Sequence, residues 1–231
     1  MDVTLIGHAT VLIRGSGERI LADPLFGIGG ELAGRVHPAV DARKLTDVDV
    51  VLVTHGHRDH VDPGFFAMLG PKTTVVVPKG IEWPEGMRLL PQLDELDWWE
   101  SRAFGGAKVT CVPARHRGPS CGYVVEADGR ALYVAGDTRY IDEMNEIGQR
   151  WAIDLALLPE RPRPGLEIMD AEEASEAVHA LHPRAVALYH LGTWLKTPEQ
   201  ANAADEYLET LSDEAPATEV LVATGGETLS V

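Results

Sequence analysis

The chain has 231 residues, of which 45% are apolar, so it can bury a substantial core and does not have the composition of a disordered protein. Its formal net charge of −16 disfavours binding to a nucleic-acid backbone, which requires a basic surface. No apolar stretch approaches the roughly 20 residues of a membrane span, and Met1 leads directly into strand-like sequence without an export signal. We therefore expect one cytoplasmic domain over residues 1–231, with a small molecule as its partner.

Strands are predicted along most of the chain, because alternating and β-branched apolar runs recur between turn residues. Gly15-Ser16-Gly17 and Asp128-Gly129 have the composition of hairpin turns. The predicted strands are residues 3–6, 10–14, 20–22, 48–54, 74–77, 108–112, 123–126, 131–134, 154–158, 185–189 and 219–222.

Helices are predicted between the strands at three places with clear start signals. Each signal is a capping residue followed by a first-turn proline or by a glutamate three residues later. The signals are Asp62-Pro63, Asp170 with Glu173, and Thr197-Pro198. Strands and helices in both halves predict an α/β protein. Residues 24–43 are rich in glycine and lack a clear period, so this segment forms either a lid over a site or a long surface loop.

The segment 54–60 holds three of the nine histidines and an aspartate, directly after an apolar run. In an extended strand end, residues two apart point the same way, so His55 and His57 can hold one cation together. The chain must turn after Arg58, which directs Asp59 and His60 to one side, where they can hold a second cation. Imidazole and carboxylate are ligands of zinc, iron and manganese. The alternative is a polar loop with chance histidines or a pH-sensing cluster, but the density of ligands favours a metal site.

Three later residues of the same chemical types each follow a predicted strand. They are His116, Asp137 and His190. Strand ends can meet at one sheet edge, so these side chains can converge with the histidine cluster. Gly136, which precedes Asp137, permits close backbone approach or an unusual dihedral angle.

The motif Thr-His-x-His-x-Asp-His at a strand end resembles the signature of the metallo-β-lactamase-fold hydrolases. Further segments resemble the same family in the expected order and cover almost the whole chain: 6–10, 21–24, 114–116, 135–138 and 188–193. The segment 225–228 resembles the closing strand of one branch. That branch includes L-ascorbate-6-phosphate lactonase and the N-acyl phosphatidylethanolamine phospholipase D type enzymes.

The resemblance implies an αβ/βα four-layer sandwich with two divalent metal ions at one edge between the sheets. Zn²⁺ is favoured, with Mn²⁺ and Fe²⁺ as alternatives. The implied ligands are His55, His57 and His116 for the first metal, Asp59, His60 and His190 for the second, and Asp137 as the bridge. Two metals about 3.5–4 Å apart can share a hydroxide that attacks a carbonyl carbon or a phosphorus.

Two further residues are expected to support the metal ligands. In this family the aspartate matched by Asp23 hydrogen-bonds the histidine loop and fixes ligand orientation. His8 is placed near the pocket by the resemblance, although a purely structural histidine is an equal alternative. Asp59 and Asp137 are the candidate catalytic carboxylates. The leaving group is protonated by Asp59 or by a metal-bound water.

The arginines that flank the ligands are candidate substrate contacts, because arginine recognises carboxylate and phosphate through paired donors. The candidates are Arg115, Arg117, Arg139, Arg161 and Arg163. They favour an anionic substrate over the alternative of solvated loop arginines. Relatives of the branch commonly have Pro-Ile-Gly where this chain has Pro159-Glu160-Arg161, so a relative's substrate cannot be transferred directly.

The sequence therefore predicts a dinuclear metal-dependent hydrolase of an ester-type bond in a small anionic molecule. A phosphodiester or a phosphorylated lactone is favoured over a carboxylic ester or lactone. An iron-dependent oxidoreductase of the same fold is the rival class, but its di-iron electron-transfer members place glutamate where this chain has His57. Cys111 and Cys121 are expected to be reduced thiols rather than a disulfide.

Overall fold

The computed structural model describes residues 1–28, 38–85, 87, 92–160, 165–190, 198–221 and 225–231, and only the backbone of residues 198–204. Arg161, Arg163 and Thr197 lie outside the described residues, as does the centre of the predicted lid, residues 29–37. No helix among the described residues is long and apolar enough to cross a membrane.

The first sheet has seven strands and combines both chain termini with the histidine-rich segment. Its strands are β1 (Asp2–Gly7), β2 (Thr10–Gly15), β3 (Glu18–Ala22), β4 (Val50–Leu52), β5 (Thr74–Pro78), β6 (Gln92–Leu96) and β14 (Thr228–Ser230). Their spatial order is β14-β1-β2-β3-β4-β5-β6. Pairing is antiparallel from β14 to β3 and parallel from β3 to β6.

The second sheet also has seven strands and repeats this mixed pattern. Its strands are β7 (Ser101–Phe104), β8 (Ala107–Pro113), β9 (Cys121–Ala127), β10 (Arg130–Val134), β11 (Leu155–Pro159), β12 (Ala185–Tyr189) and β13 (Glu219–Leu221). Their spatial order is β13-β12-β11-β10-β9-β8-β7. Pairing is antiparallel from β7 to β10 and parallel from β10 to β13.

Within the described residues, four α-helices connect these strands, and a 3₁₀ helix covers Ala42–Lys44. The α-helices are α1 (Pro63–Phe66), α2 (Glu143–Arg150), α3 (Ala171–Leu181) and α4 (Pro198–Glu214). The predicted caps of α1 and α3 are confirmed, since the side chain of Asp62 accepts bonds from two backbone amides and Asp170 forms a capping box with Glu173. However, α1 is shorter than its apolar pattern predicts. The helix ends at Phe66, before the apolar Leu69.

Residues that alternate along each strand separate the structure into layers. Leu52 and Leu157 belong to the core between the two sheets. Val51 points to the opposite face of the first sheet and joins the cluster around Phe65 of α1. On the outer face of the second sheet, Leu158 joins a cluster that contains apolar residues of α2, α3 and α4. Each fully buried side chain of this kind stabilises the fold by about 1.5–3 kcal/mol. The arrangement is therefore helix, sheet, sheet, helix.

The strands β6 and β7, the helix α2 and the 3₁₀ helix were not predicted from the sequence, and β14 was indicated only by the resemblance of residues 225–228 to a closing strand. Strands β6 and β7 are mostly exposed edge strands, so they lack the apolar alternation on which the prediction depends. Helix α2 buries only Met144 and Ile147, which is too short a pattern to distinguish from a loop. All the predicted strands are present, and both predicted hairpin turns connect paired strands.

Candidate metal centre

The candidate ligands lie at one edge of the two sheets, where several strands end. His55 follows β4 in the first sheet, while Asp137 and His190 follow β10 and β12 in the second. The sheets are joined here, because His55 forms an isolated antiparallel bridge with Ser120. This connection brings loops from opposite sheets into contact.

The first cluster contains the imidazoles of His55, His57 and His116. Their ring centroids are 4.5, 4.7 and 4.8 Å apart in pairs. His116 donates from Nδ1 to the carbonyl oxygen of Glu167 at 2.8 Å, so its Nε2 carries the lone pair. That Nε2 lies 3.1 Å from Nδ1 of His57. Two nitrogens bound to one tetrahedral zinc ion are about 3.3 Å apart, so this spacing suits a shared metal ion.

His55 is oriented by the residue that precedes it. The hydroxyl of Thr54 donates to Oδ2 of Asp23 at 2.7 Å, so it can accept a hydrogen bond from Nδ1 of His55 at 3.1 Å. This contact leaves the lone pair on Nε2 of His55. That atom is buried and has no hydrogen-bond partner among the described residues. A buried polar atom without a partner costs about 1–3 kcal/mol, and a bound cation would remove this cost.

The second cluster contains His60 and His190, together with Asp59 and His8. His60 donates from Nδ1 to Asp23 at 2.9 Å, and His190 donates from Nδ1 to the carbonyl oxygen of Glu160 at 3.3 Å. In both rings Nε2 is buried and lacks a hydrogen-bond partner among the described residues. Nδ1 of each ring is therefore engaged as a donor, so Nε2 is the nitrogen that is left to face a metal ion.

Asp137 lies between the two clusters. Its Oδ1 is 3.4 Å from Nε2 of His60 and 3.6 Å from Nε2 of His190. Its Oδ2 is 3.8 Å from Nε2 of His116. One carboxylate oxygen thus faces each cluster, which is the geometry needed to bridge two cations.

Asp23 connects the strand end to the second cluster. Its two carboxylate oxygens accept three hydrogen bonds, from the backbone amide of Thr54 at 2.8 Å, from the hydroxyl of Thr54, and from His60. The side chain is fully buried. A carboxylate that accepts three hydrogen bonds fixes the positions of the groups that donate them, and those bonds also stabilise its negative charge.

Burial and the carboxylates set the charges of the site in opposite ways. Burial lowers the pKa of His55 well below its ordinary value and that of His190 to about 4, so both rings are neutral at pH 7. Burial also acts to lower the pKa of His60, but Asp137 and Asp23 outweigh it and hold this pKa well above its ordinary value. For Asp137, burial acts to raise the pKa, but the facing histidines hold it well below its ordinary value. The buried carboxylates thus require a nearby positive charge.

Several residues of the site have backbone conformations that are rare outside glycine. The φ angles are 52° at His8, 41° at Asp23 and 72° at His190. Such conformations cost about 1–3 kcal/mol each and are concentrated at functional sites. Gly136 has φ of 67°, and a Cβ there would lie 2.8 Å from Cβ of Thr54. The glycine before Asp137 is therefore required by both the dihedral angle and the close packing.

The predicted substrate arginines differ in their surroundings. The guanidinium of Arg139 forms bonds of 2.6–2.7 Å to both carboxylate oxygens of Glu173, so this side chain is already engaged in an ion pair. Arg161 and Arg163 lie outside the described residues. Arg139 is consequently a weaker candidate for substrate binding than the sequence indicated.

A groove of about 930 Å³ opens beside His116. The residues that line it include Arg115, Trp98 and Tyr140, which contribute a cation and aromatic surface, together with the acidic residues Asp97, Asp142 and Glu143. Trp98 is 49% exposed, although its indole nitrogen donates to a backbone carbonyl. Arg117 is also exposed but does not line this groove. Arg115 is therefore the arginine that the structure places in a cavity next to a candidate ligand.

Two glutamates near the ligands were given no role from the sequence. Glu167 contributes only its backbone carbonyl to His116, so no residue type marks its position. Glu160 is 1% exposed, and burial raises its pKa to about 7. The departure from Pro-Ile-Gly at this position was the only sequence signal of Glu160, whose backbone carbonyl accepts the bond from Nδ1 of His190.

Comparison with known proteins agrees with this geometry. Residues 18–191 match the family described as Beta-lactamase superfamily domain. A UPF0173 metal-dependent hydrolase from Pelotomaculum thermopropionicum is 36% identical over 207 residues, which cover 84% of this chain and 86% of the relative. The chain belongs to the UPF0173 metal-dependent hydrolase family.

Solved structures extend the comparison to the fold. Igni18 from Ignicoccus hospitalis, described as a novel metallo hydrolase, superposes with a TM-score of 0.75 at 24% identity over 99% of this chain and 97% of its own. CmlA from Streptomyces venezuelae, a diiron β-hydroxylase, gives 0.77 at 19% identity over 100% of this chain and 54% of its own. The predicted metallo-β-lactamase fold is confirmed for this UPF0173 family member.

Proposed function

We propose that this chain is a dinuclear metal-dependent hydrolase that acts on an ester-type bond of a small anionic molecule. A phosphodiester or a phosphorylated lactone is favoured, followed by a carboxylic ester or lactone. The first metal is held by His55, His57 and His116. The second is held by Asp59, His60 and His190, and Asp137 bridges the two. Zn²⁺ is the favoured metal, with Mn²⁺ and Fe²⁺ as alternatives.

The position of Asp137 is the observation that carries this proposal. Each of its carboxylate oxygens faces a different histidine cluster. The donor atoms also fit cations, since the Nε2 atoms of His55, His60 and His190 are buried and lack hydrogen-bond partners among the described residues. His55 and His190 are neutral, and a bound cation would take the place of the Nε2 proton of His60. A single metal in one cluster would leave the unpaired atoms of the other cluster without compensation.

Bound divalent cations would supply Lewis acidity for the substrate oxygen and for ionisation of water near neutral pH. The chain's own residues orient and charge this centre. Asp23 holds His60 with Nε2 toward Asp137. The pKa of Asp59 is lowered, because the contact with His8 and the charge of His60 outweigh the opposing effect of burial. Asp59 is therefore ionised at neutral pH, the form required of a metal ligand.

An anionic substrate is supported by Arg115 in the groove beside His116. The whole-molecule charge of −16 repels anions at long range, so their binding must depend on short-range contacts of this kind. The resemblance to the lactonase and phospholipase D type branch favours a phosphorylated substrate. UPF0173 relatives are themselves described as metal-dependent hydrolases.

The experiment is to strip the protein of metal, reload it with Zn²⁺, Mn²⁺ or Fe²⁺, and assay phosphodiesters, phosphorylated lactones, carboxylic esters and neutral lactones. Asp137→Asn is the matched control, because it preserves the side chain's shape and removes its charge. We expect turnover only with metal and an intact Asp137, with the highest kcat/KM on a phosphorylated substrate. Iron-specific oxygen consumption without hydrolysis would instead support the oxidoreductase class.

A further inference from the structure

Among the histidines that the structure describes, His8 lies beside the two clusters but is not part of the seven-residue ligand set. Its side chain is fully buried, and its Nε2 lies 3.5 Å from Oδ2 of Asp59. Its ring centroid is 4.0 Å from that of His190 and 5.6 Å from that of His60. These distances are comparable with the 5.6 Å between the rings of His60 and His190 themselves.

The four side chains of this second cluster can converge on one point. One potential ligand atom from each of His8, Asp59, His60 and His190 lies within 4.8 Å of the other three. Ligands on opposite sides of one metal are about 4.2 Å apart at metal–nitrogen distances of about 2.1 Å. Small side-chain rotations are therefore sufficient to bring all four atoms to a common ion.

The backbone fixes His8 in this position. Its φ of 52° is in the left-handed region, and its carbonyl oxygen accepts a hydrogen bond of 3.0 Å from the amide of His190. The pairing of β1 with β2 shifts register between Leu5 and Gly7, directly before His8. A turn at the protein surface would not need to bury an imidazole ring, whereas the ring of His8 is fully buried. The strained turn and the bond to His190 thus hold His8 at the second cluster.

We propose that His8 is a further protein ligand of the second metal. This inference rests on the proposed dinuclear function. With His8 added, four side chains besides Asp137 would hold the second ion, whereas three histidines besides Asp137 would hold the first. The second site would therefore have one more protein ligand than the first, and fewer of its coordination positions would remain for water or substrate.

The test compares His8→Gly and His8→Asn with the parent protein after loading with Co²⁺. Glycine and asparagine both tolerate the left-handed backbone, so the turn can persist. Metal content is measured by elemental analysis, second-site affinity by titration, and coordination by the visible absorption of the bound cobalt. Circular dichroism of the metal-free proteins checks folding, and His179→Ala on α3 is the control for loss of an unrelated histidine.

Loss of a hydrogen-bond partner of a ligand weakens metal binding about 10- to 100-fold. We expect the loss of a ligand to exceed about 100-fold at the second site, to change the cobalt spectrum, and to be reversed in His8→Gly by added imidazole. Unchanged affinity would overturn the proposal, as would a 10- to 100-fold loss with an unchanged spectrum. If the parent binds only one Co²⁺, the dinuclear function itself fails, whatever the variants do.

Discussion

Nδ1 of His60 lies 2.9 Å from Oδ2 of Asp23, and both side chains are fully buried. The two residues are 37 positions apart, so the contact depends on the parallel pairing of β3 with β4. It is the point at which the fold of the first sheet determines the direction of a candidate metal ligand. Changes to this pair are expected to affect both stability and metal binding.

Asp23→Asn should weaken metal binding at the second cluster about 10- to 100-fold, because it removes one of the acceptor atoms that orient His60. It should also lower the free energy of unfolding by about 1–3 kcal/mol, because the new amide group faces donors of Thr54 or His60. Metal titration and urea unfolding of the metal-free protein measure the two effects. Asp47→Asn, at an exposed side chain, is the control. Unchanged metal affinity would show that Asp23 has only a structural role.

Gly136→Ala should destabilise the protein more than Gly129→Ala does. Both residues have a positive φ, so both substitutions carry the backbone cost of about 1–2 kcal/mol. Only at Gly136 does the new Cβ meet another residue, at 2.8 Å from Thr54, whereas nothing lies within 4 Å at Gly129. We expect an additional loss of about 1–3 kcal/mol and reduced metal content. Equal losses of stability in the two variants would contradict the close packing of Gly136 against Thr54.

Activity should fall in acid, because histidine binds metals only in its neutral form and protons compete for the same lone pairs. The decline is expected at a pH lower than the ordinary histidine pKa of about 6.5, because burial lowers the pKa of His55 and lowers that of His190 to about 4. Raising the metal concentration should move the decline to lower pH. The measurement is kcat/KM against pH at two metal concentrations. A rate that continues to rise below about pH 5 would contradict histidine ligation of a catalytic metal.

Arg115→Ala should lower kcat/KM about 10- to 150-fold for a phosphorylated substrate, since one charge-assisted contact is worth about 1.5–3 kcal/mol. A neutral analogue of the same substrate should be almost unaffected. Arg14→Ala is the control. Arg14 is exposed on β2 and lies four residues after Thr10, the end of the strand that is nearer to the site. If both substrates lose activity equally, Arg115 has a structural role and the case for an anionic substrate at the groove fails.

The sequence was sufficient to predict most of the fold and the candidate ligands that the structure brings close together. Buried strands such as β4 and β12 have uninterrupted apolar runs, and the histidines of residues 54–60 follow one of them directly. Strand ends meet at a sheet edge whatever the details of packing. The convergence of His116, Asp137 and His190 therefore follows from their positions alone.

The remaining features depend on contacts between distant segments, which no local pattern encodes. The closeness of His8 to Asp59 and His190 requires a register shift in the β1–β2 pair and a backbone bond between the sheets. The engagement of Arg139 by Glu173 requires α3 to pack beside the loop after β10. The exposed edge strands β6 and β7 have little apolar pattern, because only one side of each is covered.

Two metal ions are expected to bind in the two clusters. Measuring the metal stoichiometry of the parent protein and of a ligand variant tests this expectation directly. Elemental analysis and anomalous diffraction of the metal-loaded protein should give two ions per chain, one among His55, His57 and His116 and one beside His60 and His190. His57→Ala should lose the first ion and all turnover while retaining its fold, whereas His179→Ala should retain both ions. A single tightly bound ion, with His60 and His190 uncoordinated, would contradict the proposed dinuclear centre.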